Sequence, residues 1–284
     1  MRNTKHIEQA FFKFLSGFAC YFVIAILCLI ISIIFIKGIG SLSWEMVSQS
    51  PKGGYYYGGE GGVLNAILGS LYIAGGAVLI AMLLGAPAAL FINGFLIRYK
   101  RLQNTLRYLL DALWGIPSIV YGAFGFTIML YFGMNASLLA GIITVACLIT
   151  PIMIRSFDEV LSTIPTDLYE AALSLGSTRT ELTWKVIFKQ GLPGFVTAVL
   201  LAFGRGIGDA ASVLFTAGYT DQLPSGLHDP AATLPLSIFF QLSSPMPEVR
   251  ARAYSAAAIL TIIILIITIS SRLLARKYSK NNLK

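Results

Sequence analysis

The sequence predicts an all-α integral membrane protein that crosses the bilayer six times, and three observations carry that reading. Of 284 residues, 56% are hydrophobic and 12% are charged, about half the roughly 25% charged share of soluble domains. So few charges do not cover a water-facing surface. The mean hydropathy is +0.75. The apolar residues fall in long runs spread along the whole chain, which argues for one membrane domain.

A crossing needs about 20 apolar residues at 1.5 Å rise each, and six stretches meet that length. The first covers residues 15–36, after a polar and basic start at residues 1–13. Gly38 and Gly40 imitate a leader cleavage site, but the apolar core is longer than a leader's, so a retained helix is expected. The second covers residues 64–97, too long for one crossing, so Pro87 is expected to kink it or part of it to leave the membrane. The remaining four cover residues 108–131, 138–154, 194–218 and 254–274. The chain then divides into an N-terminal helix with its outer loop (1–62), a membrane domain (63–275) containing a polar loop (155–193), and a basic tail (276–284).

Lysine and arginine set the orientation, because loops facing the cytoplasm hold the excess of both. With six crossings and both ends inside, 16 of the 21 basic residues fall in cytoplasmic segments. Only Lys37, Lys52, Arg250 and Arg252 fall outside, and Arg205 lies within a crossing. An odd number of crossings destroys this asymmetry. The net charge of +8 is therefore a topological signal. No basic and aromatic alternation of the kind that reads nucleic acid accompanies it.

Two outer loops are long. Residues 53–59 read Gly-Gly-Tyr-Tyr-Tyr-Gly-Gly, a surface loop with tyrosines suited to the headgroup level. The last outer loop, 219–253, carries five prolines and one apolar piece, 234–242, too short to cross and expected to form a short helix on the bundle. The polar loop 155–193 is helical in character. Thr166 and Asp167 are placed to cap a helix beginning near Leu168, with Glu170 in the capping-box position. Gly176 interrupts it, and Ser177 or Thr178 caps the next helix with Glu181 three residues after Thr178. The expected shape is helix, tight glycine turn, helix.

Several chemistries are absent from the sequence. There is no Gly-Lys dipeptide and hence no P-loop, no HExxH, no GxSxG and no cysteine–histidine cluster. Cys20, Cys28 and Cys147 lie inside apolar runs and read as small core or lipid-facing residues. His6 and His228 stand alone; His228 and Asp229 with Asp221 read as a solvated loop, not a metal site. No catalytic residue and no metal ligand is assigned.

The fifth crossing reads Phe203-Gly204-Arg205-Gly206-Ile207-Gly208-Asp209. Arg205 lies about 11 residues from either end of that stretch, near mid-membrane, where a charge costs about 2.5–3.5 kcal/mol on insertion scales and usually serves function. Asp209, four residues on, is expected to share its helical face and balance its charge. Gly206 and Gly208 allow close helix approach or local unwinding. A guanidinium fork suits a tetrahedral oxyanion. Arg205 is therefore read as a transient anion site; the bland alternative is a structural ion pair pinning two helices.

In the polar loop, Glu170-Ala171-Ala172-Leu173-Ser174-Leu175-Gly176 followed by Val186 resembles the EAA loop of bacterial ABC importer permeases. Phe188-Lys189 stands where that pattern has Leu-Pro, and Leu192-Pro193-Gly194 follows shortly after. Three further stretches carry a narrower resemblance: Gly115-Ile116-Pro117-Ser118-Ile119-Val120-Tyr121-Gly122, then Gly204–Asp209 followed by 214–218, and Leu234-Pro235-Leu236-Ser237-Ile238. Together they are similar to the A-type permease subunit of the bacterial high-affinity phosphate (Pst) ABC importer, over roughly residues 60–275. That family usually has Glu at the Asp209 position, and Thr-Ala-Pro where this chain has Ala210-Ala211-Ser212.

The resemblance implies a type I ABC importer permease fold in the bacterial inner membrane. It implies a substrate pathway at Arg205, Asp209, Gly206, Gly208, Pro117 and Ser118, and ATPase coupling at Glu170, Ala171, Ala172 and Gly176. It implies a second permease subunit (PstC-type), two ATP-binding subunits (PstB-type) that hold ATP and magnesium, and an extracytoplasmic phosphate-binding protein (PstS-type). No cofactor is expected in this chain. Alternatives are a permease for another solute, such as molybdate, sulfate or a sugar, and a membrane scaffold relaying phosphate status to a sensor kinase.

Overall fold

A computed structural model of the chain describes residues 2–52 and 61–279. The tyrosine-rich stretch 53–59 and the last five residues of the basic tail lie outside the described residues. Regular structure among the described residues is all helical. In order, α1 is Arg2–Ile39, α2 Trp44–Ser48, α3 Leu64–Gly94, α4 Lys100–Trp114, α5 Ser118–Tyr131, α6 Leu138–Ser162, α7 Thr166–Ser174 and α8 Arg179–Glu181. A wide π turn, Leu182–Ile187, leads into α9 Phe188–Ile207, followed by α10 Leu234–Leu242 and α11 Pro247–Ser279.

Among the described residues, five helical segments are long and apolar enough to cross a membrane, and the α4–α5 pair makes a sixth when counted as one bent crossing. Four predicted crossings fall where hydropathy put them, and α3 runs unbroken through Pro87. The predicted third crossing, 108–131, is not one helix: α4 and α5 meet at 89°. Pro117 has no N–H to donate and disfavours helical backbone at the residue before it, and Gly115 closes α4. Hydropathy averages across such a break.

The predicted fifth crossing, 194–218, is also corrected. The helix ends at Ile207, and residues 208–233 form closed turns and irregular backbone. Three glycines in five residues weaken the helix, and the Asp209 carboxylate accepts the Ser212 backbone N–H at 2.8 Å, a bond that competes with the helical ladder. Val213, Thr216 and Ala217 in this stretch are fully shielded. Irregular backbone is tolerated at membrane depth when protein surrounds it.

α3 and α6 run parallel and form the centre. Ile73, Ala77 and Ala81 of α3 share one buried cluster with Ile142, Val145, Ile149 and Met153 of α6. Lipid offers no hydrophobic gain for such packing, so close van der Waals fit carries it, and small residues permit that fit. Gly76 takes the Ile142 side chain and Gly141 takes Ile73 and Ala217. α9 runs antiparallel between them, with Gly191, Phe195, Ala198, Ala202 and Gly206 as its buried stripe. α11 packs on α9, and α1 packs on α11: the Ser255 hydroxyl donates to the Gly38 carbonyl at 2.8 Å, and Lys37 lies 5.0 Å over the Tyr254 ring. Cys20, Cys28 and Cys147 are free and exposed.

The backbone amides at the start of α6 are accounted for one by one. Leu138 N–H donates to the Asp229 carbonyl and Leu139 N–H to Leu227, both at 2.8 Å; Ala140 N–H goes to the Ser137 hydroxyl. The irregular segment 208–233 thus closes the end of α6 that a helix leaves unpaired. It is tied to α3 as well, through Asn65 donating to the Thr220 carbonyl and Leu234 N–H donating to the Ser70 hydroxyl. The predicted short helix at 234–242 is α10, with the Thr233 hydroxyl as its N-cap acceptor.

At the opposite end of the bundle lies an ion cluster. Asp158 of α6 is wholly buried. Its Oδ1 accepts from Asn93 of α3 at 2.8 Å and from Arg107 Nη2 of α4 at 2.7 Å. Its Oδ2 accepts from Arg107 Nε at 2.8 Å and Arg155 Nη1 at 2.7 Å. Arg155 Nε reaches Asp111 of α4 at 2.8 Å. The four charges cancel, and three helices meet at one carboxylate. Asp158→Ala leaves two arginines facing an empty site. We expect a loss of about 3 kcal/mol or more, read as a lower unfolding midpoint of the detergent-purified protein.

Candidate functional site

Two regions hold the residues singled out by sequence. The first surrounds Arg205. Gly206, next to it, sits 3.4 Å (measured from an ideal Cβ) from Val145 and 3.8 Å from Ala74. Val145 is seven residues past the start of α6, about 10 Å down its axis. Arg205 therefore lies about two helical turns in from the level of the α6 start, nearer that end of the bundle than the other. It is in the last turn of α9, on the exposed face with Leu201. A cation near a helix C-terminus is favoured by the helix dipole.

The expected Arg205–Asp209 pair does not form. α9 ends at Ile207 with Gly208 as its cap, so Asp209 leaves the helical face that four-residue spacing presumes. Asp209 instead closes the turn at Ser212. Among the described residues Arg205 has no acidic partner. A Cβ added at Gly208 would stand 3.7 Å from Ile264 of α11, and one added at Gly204 would meet open space.

Pro117 and Ser118 lie at the α4–α5 break, Pro117 exposed and Ser118 half-buried. No contact joins them to Arg205. One turn further on, however, Gly122 packs against the backbone of Ala211 and Ser212, where a Cβ would stand 2.7 Å from the Ala211 oxygen. α5 thus reaches the segment that follows Arg205. The segment's far turn is closed by Asp229, whose carboxylate accepts from the Ser225 hydroxyl and from the Ser225 and Gly226 amides. These donors, the Ser225 hydroxyl foremost, hold its pKa below the usual carboxylate range, whereas burial pushes Asp221 up. Among the described residues no cluster of metal-ligand type is found.

The second region is an elbow formed by α7, Gly176 and α8. α7 begins at Thr166 with Pro165 before it, and no side chain caps it, so the predicted Asp167 cap is corrected. The second cap is as read from sequence: Thr178 and Glu181 form a complete capping box. Gly176 has φ +79°, with Ser177 N–H on the Ala172 carbonyl and Gly176 N–H on Leu173, the bond pair of a Schellman turn. Ala172 is buried at 9% exposure, Leu168 and Tyr169 pack on the core, and burial raises the Tyr169 pKa. Glu170, Ala171 and Leu173 face outward, and Leu175 at the tip is 87% exposed. Arg179 donates to the Phe95 carbonyl, and Gly94 seats directly against Thr183, fixing the elbow to the end of α3. Of the later positions in the EAA pattern, Val186 is in the π turn and Phe188 opens α9.

The sequence reading missed the Asp158 cluster. Its one local signal is the i,i+3 pair Arg155–Asp158 at the end of an apolar run, of which Arg155 alone enters the topology argument.

The chain as a whole is similar to known membrane proteins. Residues 81–280 match the family of binding-protein-dependent transport system inner membrane components. The phosphate transport system permease protein PstA of Haemophilus influenzae is 33% identical over 247 residues, covering 87% of this chain and 86% of that protein. PstA of Pasteurella multocida is 31% identical over 287 residues, covering 99% and 100%. The inward-facing MetNI methionine ABC transporter covers 76% of this chain and 95% of its own at 19% identity, with a TM-score of 0.61. A bacterial alginate ABC transporter covers 96% of both at 13% identity, with a TM-score of 0.63.

The fold is thus that of a type I ABC importer permease, a multi-pass protein of the bacterial inner membrane. The chain belongs to the family of binding-protein-dependent transport system inner membrane components.

Gly176 is required for its left-handed backbone and not for space, since nothing lies within 4 Å of an added Cβ. Gly176→Val is expected to cost roughly 1–2 kcal/mol locally. Hydrogen exchange across residues 166–181 should rise, while Gly204→Ala, in open space, leaves it unchanged.

Proposed function

We propose that this chain is the A-type permease subunit of a phosphate importer. With a PstC-type second permease it lines the pathway, PstB-type subunits supply ATP hydrolysis, and a PstS-type protein delivers phosphate. The observation that carries the reading is Arg205: a guanidinium at membrane depth on the open face of α9, with no acidic partner among the described residues. An unpaired cation at that depth is costly unless water, an anion or another chain meets it. A pathway shared with a second permease supplies all three. The relatives named as phosphate permeases support phosphate as the anion.

The elbow suits the cytoplasmic side. The end of the bundle that carries it also carries Arg98, Lys100, Arg101, Arg107 and Arg155, the side the basic-residue asymmetry assigns to the cytoplasm. Both termini are then cytoplasmic, and the segment 208–233 faces outward. ATP binding draws the ATPases together, the elbow moves with them, and the bundles open outward. Phosphate meets Arg205 briefly and leaves inward after hydrolysis. A single guanidinium without a closed cage holds an anion weakly, which suits release.

Sulfate and molybdate are tetrahedral oxyanions too, so the test must separate them. The assembled complex in liposomes, with its loaded binding protein, should hydrolyse ATP and import phosphate, not sulfate or molybdate. Import of a different anion alone sinks the substrate assignment.

Arg205→Ala should abolish import while subunits still co-purify; normal import removes Arg205 from the mechanism. Glu170→Lys should weaken retention of the ATPase subunits on co-purification, and wild-type retention counts against the elbow as their seat.

A further inference from the structure

The Asp158 cluster does more than seal a buried charge. It joins α4 to α6 at two points one helical turn apart, Arg107 to Asp158 and Asp111 to Arg155. A buried ion pair is a poor source of stability, since apolar residues of similar volume often serve as well. What it supplies is direction: bidentate geometry fixes how two helices sit. α4 has little else to hold it. Most of its surface is exposed, and Gln103, donating to the Ile92 carbonyl at 3.1 Å, is its only wholly buried residue.

The two ends of this arrangement lead to the two regions described above. Four residues after Asp158, α6 stops at Ser162, and the elbow follows at Thr166. On the other side, α4 passes through the Gly115–Pro117 break into α5, which rests by Gly122 on Ala211 and Ser212. Ala211 lies two residues after Asp209 and six after Arg205. The break concentrates bending in three residues, while the ion cluster makes α4 rigid with the foot of α6.

We propose that Arg107, Asp111, Arg155 and Asp158 form a clamp that makes α4 follow the elbow, so that elbow motion reaches α5 and re-sets the segment beside Arg205. The four side chains touch no substrate; they are positioning residues. The proposal rests on the importer reading. It requires one contiguous packed route between two sites, and it is decided by coupling measurements.

The experiment uses the complete complex in liposomes with the phosphate-loaded binding protein. Three quantities are read for each variant: ATP hydrolysis without the binding protein, its stimulation by that protein, and phosphate imported per ATP. Asp111→Asn removes one link at an exposed carboxylate and leaves no buried charge alone. Arg107→Gln removes the bidentate link, and Arg107→Lys keeps the charge without the fork. All three should assemble, with unstimulated hydrolysis near wild type. Phosphate per ATP should fall by about threefold to thirtyfold in Arg107→Gln, less in Asp111→Asn, and partly recover in Arg107→Lys. Stimulation should fall in the same order.

A merely structural cluster predicts otherwise: lower yield and melting temperature, but unchanged phosphate per ATP in whatever complex assembles. That result overturns the clamp. Should Arg107→Gln not assemble, Asp111→Asn and Arg107→Lys decide, and wild-type ratios in both overturn it. If the wild-type complex imports no phosphate, the substrate reading falls instead, and the clamp is judged on stimulation by whichever loaded binding protein activates hydrolysis.

Discussion

The structure depends on a carboxylate that water does not reach. Asp158 is enclosed by the ends of α3 and α6 and the middle of α4, and a bare charge in such a place costs several kcal/mol. It is met by two guanidinium groups and a side-chain amide, filling its acceptor positions with charge-assisted bonds. Because Arg107 binds through two nitrogens and Arg155 through one, the helices are fixed in angle as well as distance. Elsewhere the helices meet largely through small residues and dispersion contacts, with single hydrogen bonds such as Ser255 to Gly38 and Gln103 to Ile92. The cluster adds paired charges to that packing, and with them a stronger resistance to sliding.

At the other end a different solution is used. There the chain abandons the helix after Ile207 and returns along the bundle as turns, giving its carbonyls to the first amides of α6 and its side chains to the core. One end of the molecule is therefore pinned by charge and the other by backbone hydrogen bonding. Between them α9 carries an arginine on a face this chain leaves uncovered. In the reading proposed above, that face is one half of an enclosure that the second permease completes.

Much of this was legible in the sequence, and the reasons for the rest are physical. Length and hydropathy located α1, α3, α6 and α11, because each carries a long, nearly continuous apolar run and the backbone in lipid must bond to itself. The elbow was readable because its signals are local: a capping box at Thr178 and Glu181, and a glycine where the backbone turns left-handed. The failures share one cause. Residues 108–131 and 194–218 remain apolar through Pro117 and past Ile207, because those stretches are shielded by protein or lipid whether helical or not. Hydropathy reports the surroundings of a segment, not its conformation. The Arg205–Asp209 pair failed with the helix it presumed. The Asp158 cluster was hidden because Asn93, Arg107 and Asp111 lie 65, 51 and 44 residues from the α6 side chains they bind, and sequence spacing says nothing about such distances.

The π turn at Leu182–Ile187 sets the angular phase of everything after it. A π turn takes up one residue more than an α turn, and one extra residue rotates the rest of a helix by about 100°. The identity of the side chain that α9 presents to its uncovered face is thus fixed some twenty positions upstream, by a backbone widening next to the elbow. In its absence the same sequence would carry Arg205 round toward the neighbouring helices and bring a different residue to the opening.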